Sequence, residues 1–397
     1  LDEVPGVSVL SREPWVLTID DFLSSEEADE VIRKIFARDE VDAVADLLSH
    51  LLDNDDAIPE ALPDDVEEYF RTTGHVSAVE INHARIGENF FATHGPEIML
   101  VLCCNSLPFD YANKRAVGVL YQTGFLNKRP NRRVAQTAQM ILDVMAPGGL
   151  TSDGFGIRSA QKVRLMHAAI RHLILTNKDR AWDVDRLGIP INQADLLYTL
   201  MSFSQVVLDG LQRMKLEVTR REGEAYLASW RIVGRIMGIE PSVIPESLEE
   251  AAALTKRMAQ REHGASHEGK VMMEALAGLV GDVLGRPLSM FKWSLIRFFV
   301  SPSVCRMLGV PRHPVRDRLA HSITGLALLL DHAVDRPGPM RRWFRSFSVR
   351  MIQFFIEQEL GPTSRTFRIP EELHRDWEVP GQTQSNFVTF TRPMEAE

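Results

Sequence analysis

The chain has 397 residues, 45% hydrophobic and 25% charged, a composition that supports a large buried core without disulfides or a structural metal and excludes disorder as the main state. Lysine and arginine number 45 against 54 aspartates and glutamates, a formal charge of -9, so the positive field that non-specific phosphate binding needs is missing and nucleic acid is not an expected partner. The three cysteines, Cys103, Cys104 and Cys305, are too few and too poorly spaced for a disulfide framework or a cysteine-rich metal site, and read as small core residues.

The sequence opens at Leu1 without the basic and then apolar layout of a secretory signal, which fits a trimmed start and leaves the compartment open: soluble, secreted or cytoplasmic. No apolar run is long enough to span a bilayer; the best, at 98–104 and 326–330, are far too short. Helical periodicity runs through most of the chain. It predicts helices over 24–50, 63–72, 132–145, 159–176, 192–211, 221–237, 247–261, 268–283, 289–300, 314–331 and 340–359, joined by short Pro- and Gly-punctuated turns. Strand signals are sparse. The expectation is an all-α fold, a single helical unit over 1–380 with a flexible polar tail over 381–397.

One helix carries chemistry. Over 162–172, Val163, Met166, Ile170, Leu173 and Ile174 form an apolar stripe that contains His167, and Arg164 and Arg171 flank it at three and four residues' distance. An inward-facing neutral imidazole between two cations suits an axial ligand of haem iron, with arginine for the propionates. A core histidine with no ligand, bordered by solvated arginines, is the competing reading. Some thirty residues upstream, Arg133, Gln136 and Thr137 share one face of an amphipathic helix, and the glycines at 148–156 let the chain turn back so that this face opposes His167. Gln136 and Thr137 would then donate hydrogen bonds to a bound oxygen; an exposed polar face is the alternative.

These segments resemble a known family. Ser106-Leu107-Pro108 with Tyr111-Ala112, then Leu120-Tyr121-Gln122-Thr123-Gly124, Arg133 with Thr137, and Val163-Arg164-Leu165-Met166-His167-Ala168-Ala169-Ile170-Arg171 are similar to the catalytic domain of the latex clearing protein (rubber oxygenase) family. The likeness continues through Trp182-Asp183, Gly188-Ile189-Pro190-Ile191-Asn192-Gln193, Leu200-Met201-Ser202-Phe203-Ser204, Val207-Leu208-Asp209-Gly210-Leu211 and Trp230-Arg231-Ile232-Val233-Gly234, covering roughly 57–308. The resemblance implies a globin-like helical core with additional surrounding helices that holds haem b, with His167 as the iron ligand and Arg133, Thr137, Arg164 and Arg171 around the pocket. It also implies dioxygen and an apolar isoprenoid-like chain as partners, the chain being cleaved at a C=C bond past an apolar tunnel that includes Phe125, Met201 and Phe203. The sequence departs from the family where rubber-cleaving members carry a distal lysine, here Gln136, and a distal glutamate; there is no Asp or Glu from Tyr111 to Arg132. Without that base, a haem peroxidase or monooxygenase acting on a smaller lipid, or a haem-binding gas sensor or carrier, stands beside oxidative cleavage.

Other constellations are weaker. His263 and His267 lie four apart, but the zinc-protease motif needs Glu directly after the first His, so a hydrated helix start is the better reading. His321 and His332 have no partner spacing that favours iron. Trp343, Phe347, Met351 and Phe354 form a stripe beside Arg341, Arg342, Arg345 and Arg350, which fits either core packing or peripheral membrane contact.

Overall fold

The computed structural model describes residues 26–37, 64–122, 130–152, 154–178, 181–314 and 339–359. Among them every regular element is helical, and the nearest approach to a sheet is one isolated bridge between Asn113 and His263. The all-α expectation holds.

Helix α1 (Glu26–Ala37) buries Ala28, Val31, Ile32 and Ile35, its helical stripe, against Val66, Tyr69 and Phe70 of α2 (Asp64–Thr72) and against Leu165, Ala168 and Ala169 further along the chain. Next comes α3 (Ala78–Val101), opened by a capping box in which Ser77 Oγ accepts from the Glu80 amide while the Ser77 amide donates to Glu80. This 24-residue helix is buried over most of its second half and carries Pro96 inside, so neither a one-sided stripe nor clean helix chemistry marks it in the sequence. It is absent from the predicted helices for that reason.

A π-helical turn over Leu102–Ser106 carries α3 into α4 (Leu107–Tyr111), and α5 (Val117–Gln122) follows. The pair α6 (Pro130–Met145) and α7 (Phe155–Thr176) pack closely across the glycine-rich turn; a Cβ on Gly156 would lie 2.6 Å from Val144 Cα. After the single turn α8 (Val184–Leu187), the helix predicted over 192–211 is two: α9 (Gln193–Phe203) and α10 (Gln205–Arg213), separated at Ser204, whose hydroxyl bonds the Leu200 carbonyl at 2.7 Å.

The remaining helices are α11 (Arg220–Ile236), α12 (Leu248–Glu262), α13 (His267–Leu284), α14 (Lys292–Phe299), α15 (Pro302–Met307) and α16 (Pro339–Glu359). Ser266 caps α13, as the helix-start reading of 263–268 expects. All three cysteines are buried thiols outside any disulfide. Phe347 and Met351 of α16 are fully buried and Trp343 and Phe354 pack on the same core, so the stripe faces the bundle and not a membrane surface. No helix among the described residues is long and apolar enough to cross a membrane. The 381–397 tail, His321, His332, Phe125 and nearly all of the 314–331 helix lie outside the described residues.

Candidate active site

A cavity of about 260 Å³ lies within the bundle, walled mainly by apolar side chains of α3 to α7, α9 and α11. From α7 it takes Val163, Met166, His167 and Ile170, the i, i+3, i+4, i+7 face of that helix. From α6 it takes Val134, Gln136, Thr137, Ala138, Met140 and Ile141. The sequence-predicted pairing is therefore realised to this extent: His167, Gln136 and Thr137 line one chamber. Phe203 and Trp230, stacked at 5.2 Å, also line it, whereas Met201 is buried in the core and is not among the lining residues.

The flanking arginines go elsewhere. Arg164 Nη2 bonds Glu27 at 3.1 Å, its Nη1 reaches the Ile236 carbonyl at 3.3 Å, and its guanidinium sits over the Tyr69 ring. Arg171 pairs with Asp29 and donates to the carbonyls of Pro190 at 2.9 Å and Ile191 at 2.8 Å. Neither lines the cavity, which corrects their placement around the pocket. The cause is tertiary: α1 brings two carboxylates, and buried guanidinium groups take the partners that complete their hydrogen bonds. Arg171 thereby secures a strained turn, since Ile191, which lines the cavity, is β-branched and holds φ at +55°. The side chain of Arg133 lies outside the described residues.

Sequence reading missed a polar strip inside this chamber. Asp195, Tyr198, Thr199 and Ser202 recur at i, i+3, i+4 and i+7 on α9, and the first three line the cavity together with Asp110 of α4. Asp110 lies one residue before the stretch in which the absence of a carboxylate is notable; its place in the Leu107-Pro108-Phe109-Asp110-Tyr111 segment, an acid in an apolar run, is the signal that could have found it. Ser202 Oγ lies 3.0 Å from Asp110 Oδ2 and 2.8 Å from the Thr199 carbonyl. A hydroxyl has one proton and the carbonyl can only accept, so both bonds are made when Asp110 is the protonated partner. Burial pushes its carboxyl well above the usual range, in agreement with that state. Asp195 is raised to about 7, chiefly by burial, with Arg115, the Asn192 amide and Arg171 opposing.

Tyr198 bonds outward from the strip. Its hydroxyl lies 2.7 Å from both the Phe109 carbonyl and His263 Nε2. The tyrosine proton goes to the carbonyl, so His263 Nε2 carries hydrogen and donates to the phenol oxygen. Burial lowers the His263 pKa to about 4 and raises that of Tyr198, helped by Glu262. No group of three or more His, Cys, Asp or Glu suited to a metal ion occurs among the described residues.

The family described as "ER-bound oxygenase mpaB/B'/Rubber oxygenase, catalytic domain" matches residues 96–331, more than half of the chain. The chain belongs to this family. As a member of the mpaB/rubber oxygenase family it is an oxidoreductase of the oxygenase class. It is 29% identical over 306 residues to a rubber oxygenase of Streptomyces sp. (strain K30), covering 75% of this chain and 74% of that one. It also superposes on a solved latex clearing protein in its closed state, with a TM-score of 0.73 at 26% identity, over 89% of this chain and 95% of the other. The matched span contains the whole of α4 to α15 and with them nearly all of the cavity wall.

Proposed function

We propose that this oxygenase holds haem b through His167 and uses dioxygen to cleave a C=C bond of an isoprenoid or similarly apolar chain. The observation that carries the reading is one imidazole, that of His167, among the described residues on the wall of a largely apolar cavity, with Gln136 and Thr137 in the same lining. A bare ion needs three or more protein ligands, whereas a porphyrin supplies four nitrogens of its own and would take one protein imidazole, here His167, so the donor set fits haem. When bound, haem supplies the dioxygen chemistry.

The chain's own residues then do the following. Val163, Met166 and Ile170 present an apolar face beside the ligand and exclude water from it. Through the Gln136 amide and Thr137 hydroxyl the cavity offers N–H and O–H donors to dioxygen, and Arg133, three residues before Gln136, is the proposed propionate partner. Met99, Leu102, Val117, Leu120 and Phe203 give the alkene an apolar bed. One alkene and one dioxygen give two carbonyl products, which balances without a further reductant.

Uncharged Gln136 at the family's lysine position favours a second reading, a haem-bound gas sensor without turnover. The two separate by experiment. Purified protein should show a Soret band that His167→Ala abolishes or strongly shifts, and an unchanged spectrum would remove His167 from ligation. Reduced protein given squalene or short polyisoprenes under oxygen should yield aldehydes and ketones by mass spectrometry; reversible carbon monoxide binding without products would favour the sensor.

A further inference from the structure

A pure hydrocarbon leaves part of this cavity without a match. The α9 strip of Asp195, Tyr198 and Thr199, with Asp110 facing the same space, is a polar patch in an otherwise apolar chamber. With Asp110 donating through Oδ2 to Ser202, its Oδ1 is left as an acceptor, and that atom is buried with no hydrogen-bond partner. A buried acceptor without a donor is costly, and an alkyl chain packed against it keeps that cost. No lysine or arginine is among the described residues lining the chamber, and Arg133 is assigned to the propionates, so beside the strip those residues offer an anionic headgroup no counter-charge. Burial works against the charged form of both carboxyls, which weakens the attraction for a cation as well.

We infer that the substrate is an apolar chain ending in a neutral hydroxyl, a prenyl-alcohol type of molecule, whose O–H donates to Asp110 and whose oxygen is met by the α9 strip. The inference rests on the reading of this cavity as the substrate site and narrows it from hydrocarbons to alcohols. A hydroxyl is the smallest group that both donates and accepts. A site built to hydrogen-bond such a group rejects the analogue lacking it, because its own polar atoms are then left unpaired.

The test measures binding of farnesol, farnesyl methyl ether and squalene to the holoprotein by calorimetry, which does not depend on turnover. Farnesol should bind roughly tenfold or more tightly than its methyl ether, which keeps the oxygen and loses the donor. Asp110→Leu should erase that preference. Should the leucine variant fail to fold, Asp110→Asn, whose amide donates to Ser202 and keeps a carbonyl for the alcohol, should retain it. Equal affinity for alcohol and ether in the wild type, no measurable binding of either, or an unchanged preference in Asp110→Leu would overturn the inference. Alkene cleavage without an alcohol preference would do the same while leaving the oxygenase reading intact; an alcohol preference without cleavage would uphold the inference and count against turnover.

Discussion

At His263 burial holds the imidazole at a pKa of about 4, against an ordinary value near 6.5, while Tyr198 accepts its Nε2–H. Between those two values the folded chain binds fewer protons than the unfolded one, so stability falls as pH drops through that window and is unaffected by this group above it. His263→Gln keeps a side-chain donor for Tyr198 and removes the titration. The variant should therefore lose less stability than the wild type between pH 6.5 and 4, by a slope approaching about 1 kcal/mol per pH unit. Urea melts at closely spaced pH values would show it, and parallel profiles would mean that His263 is not the titrating group. Asp110 and Asp195 shift in the other direction, because a carboxyl raised by burial makes the folded state bind more protons. Comparing variant with wild type cancels their share.

Two contacts join helices that contribute to the cavity wall. Gly87 brings α3 against α11; a Cβ there would run into Ser229 Oγ and lie 2.9 Å from the Ala225 carbonyl oxygen, which cannot swing away. Gly87→Ala is expected to cost about 1–3 kcal/mol by forcing the pair apart, despite the better helix propensity of alanine. A variant as stable as the wild type in thermal melts would show that the two helices adjust freely. The second contact is the link between α1, α7 and the 190–191 turn through Arg171. Arg171→Met leaves Asp29 and two carbonyls without their donor and should cost about 3 kcal/mol in urea unfolding. Since Ile191 holds its left-handed backbone beside that guanidinium, the same variant should weaken ligand binding in the cavity, and full stability with unaltered binding would argue that the turn holds itself.

For the molecule as a whole, most of the core forms one continuous apolar cluster, with a smaller one where α1 and α2 meet α7. The cavity lies within the larger cluster, and a ligand seated in it adds dispersion contacts with the lining. A ligand that binds only the folded state adds to stability by mass action, about 2.7 kcal/mol at a free concentration one hundred times its dissociation constant. Haem-free protein titrated with haem should therefore melt several degrees higher, and the rise should vanish in His167→Ala. An equal rise in both would place haem away from His167.

The sequence alone determined the fold class, most helix positions, and which helix faces carry His167, Gln136 and Thr137, because amphipathic stripes and i, i+3, i+4 spacings are local properties of one helix. Helix α3 escaped because a rod buried on several sides has no polar face to contrast with its apolar one. The roles of Arg164 and Arg171 were decided only in three dimensions: spacing says which side of a helix a guanidinium leaves from, and only packing shows that Glu27 and Asp29 are there to receive it. Asp110 and the α9 strip meet for the same reason, since a carboxyl and its partner hydroxyl 92 residues apart become neighbours only when the chain closes on itself.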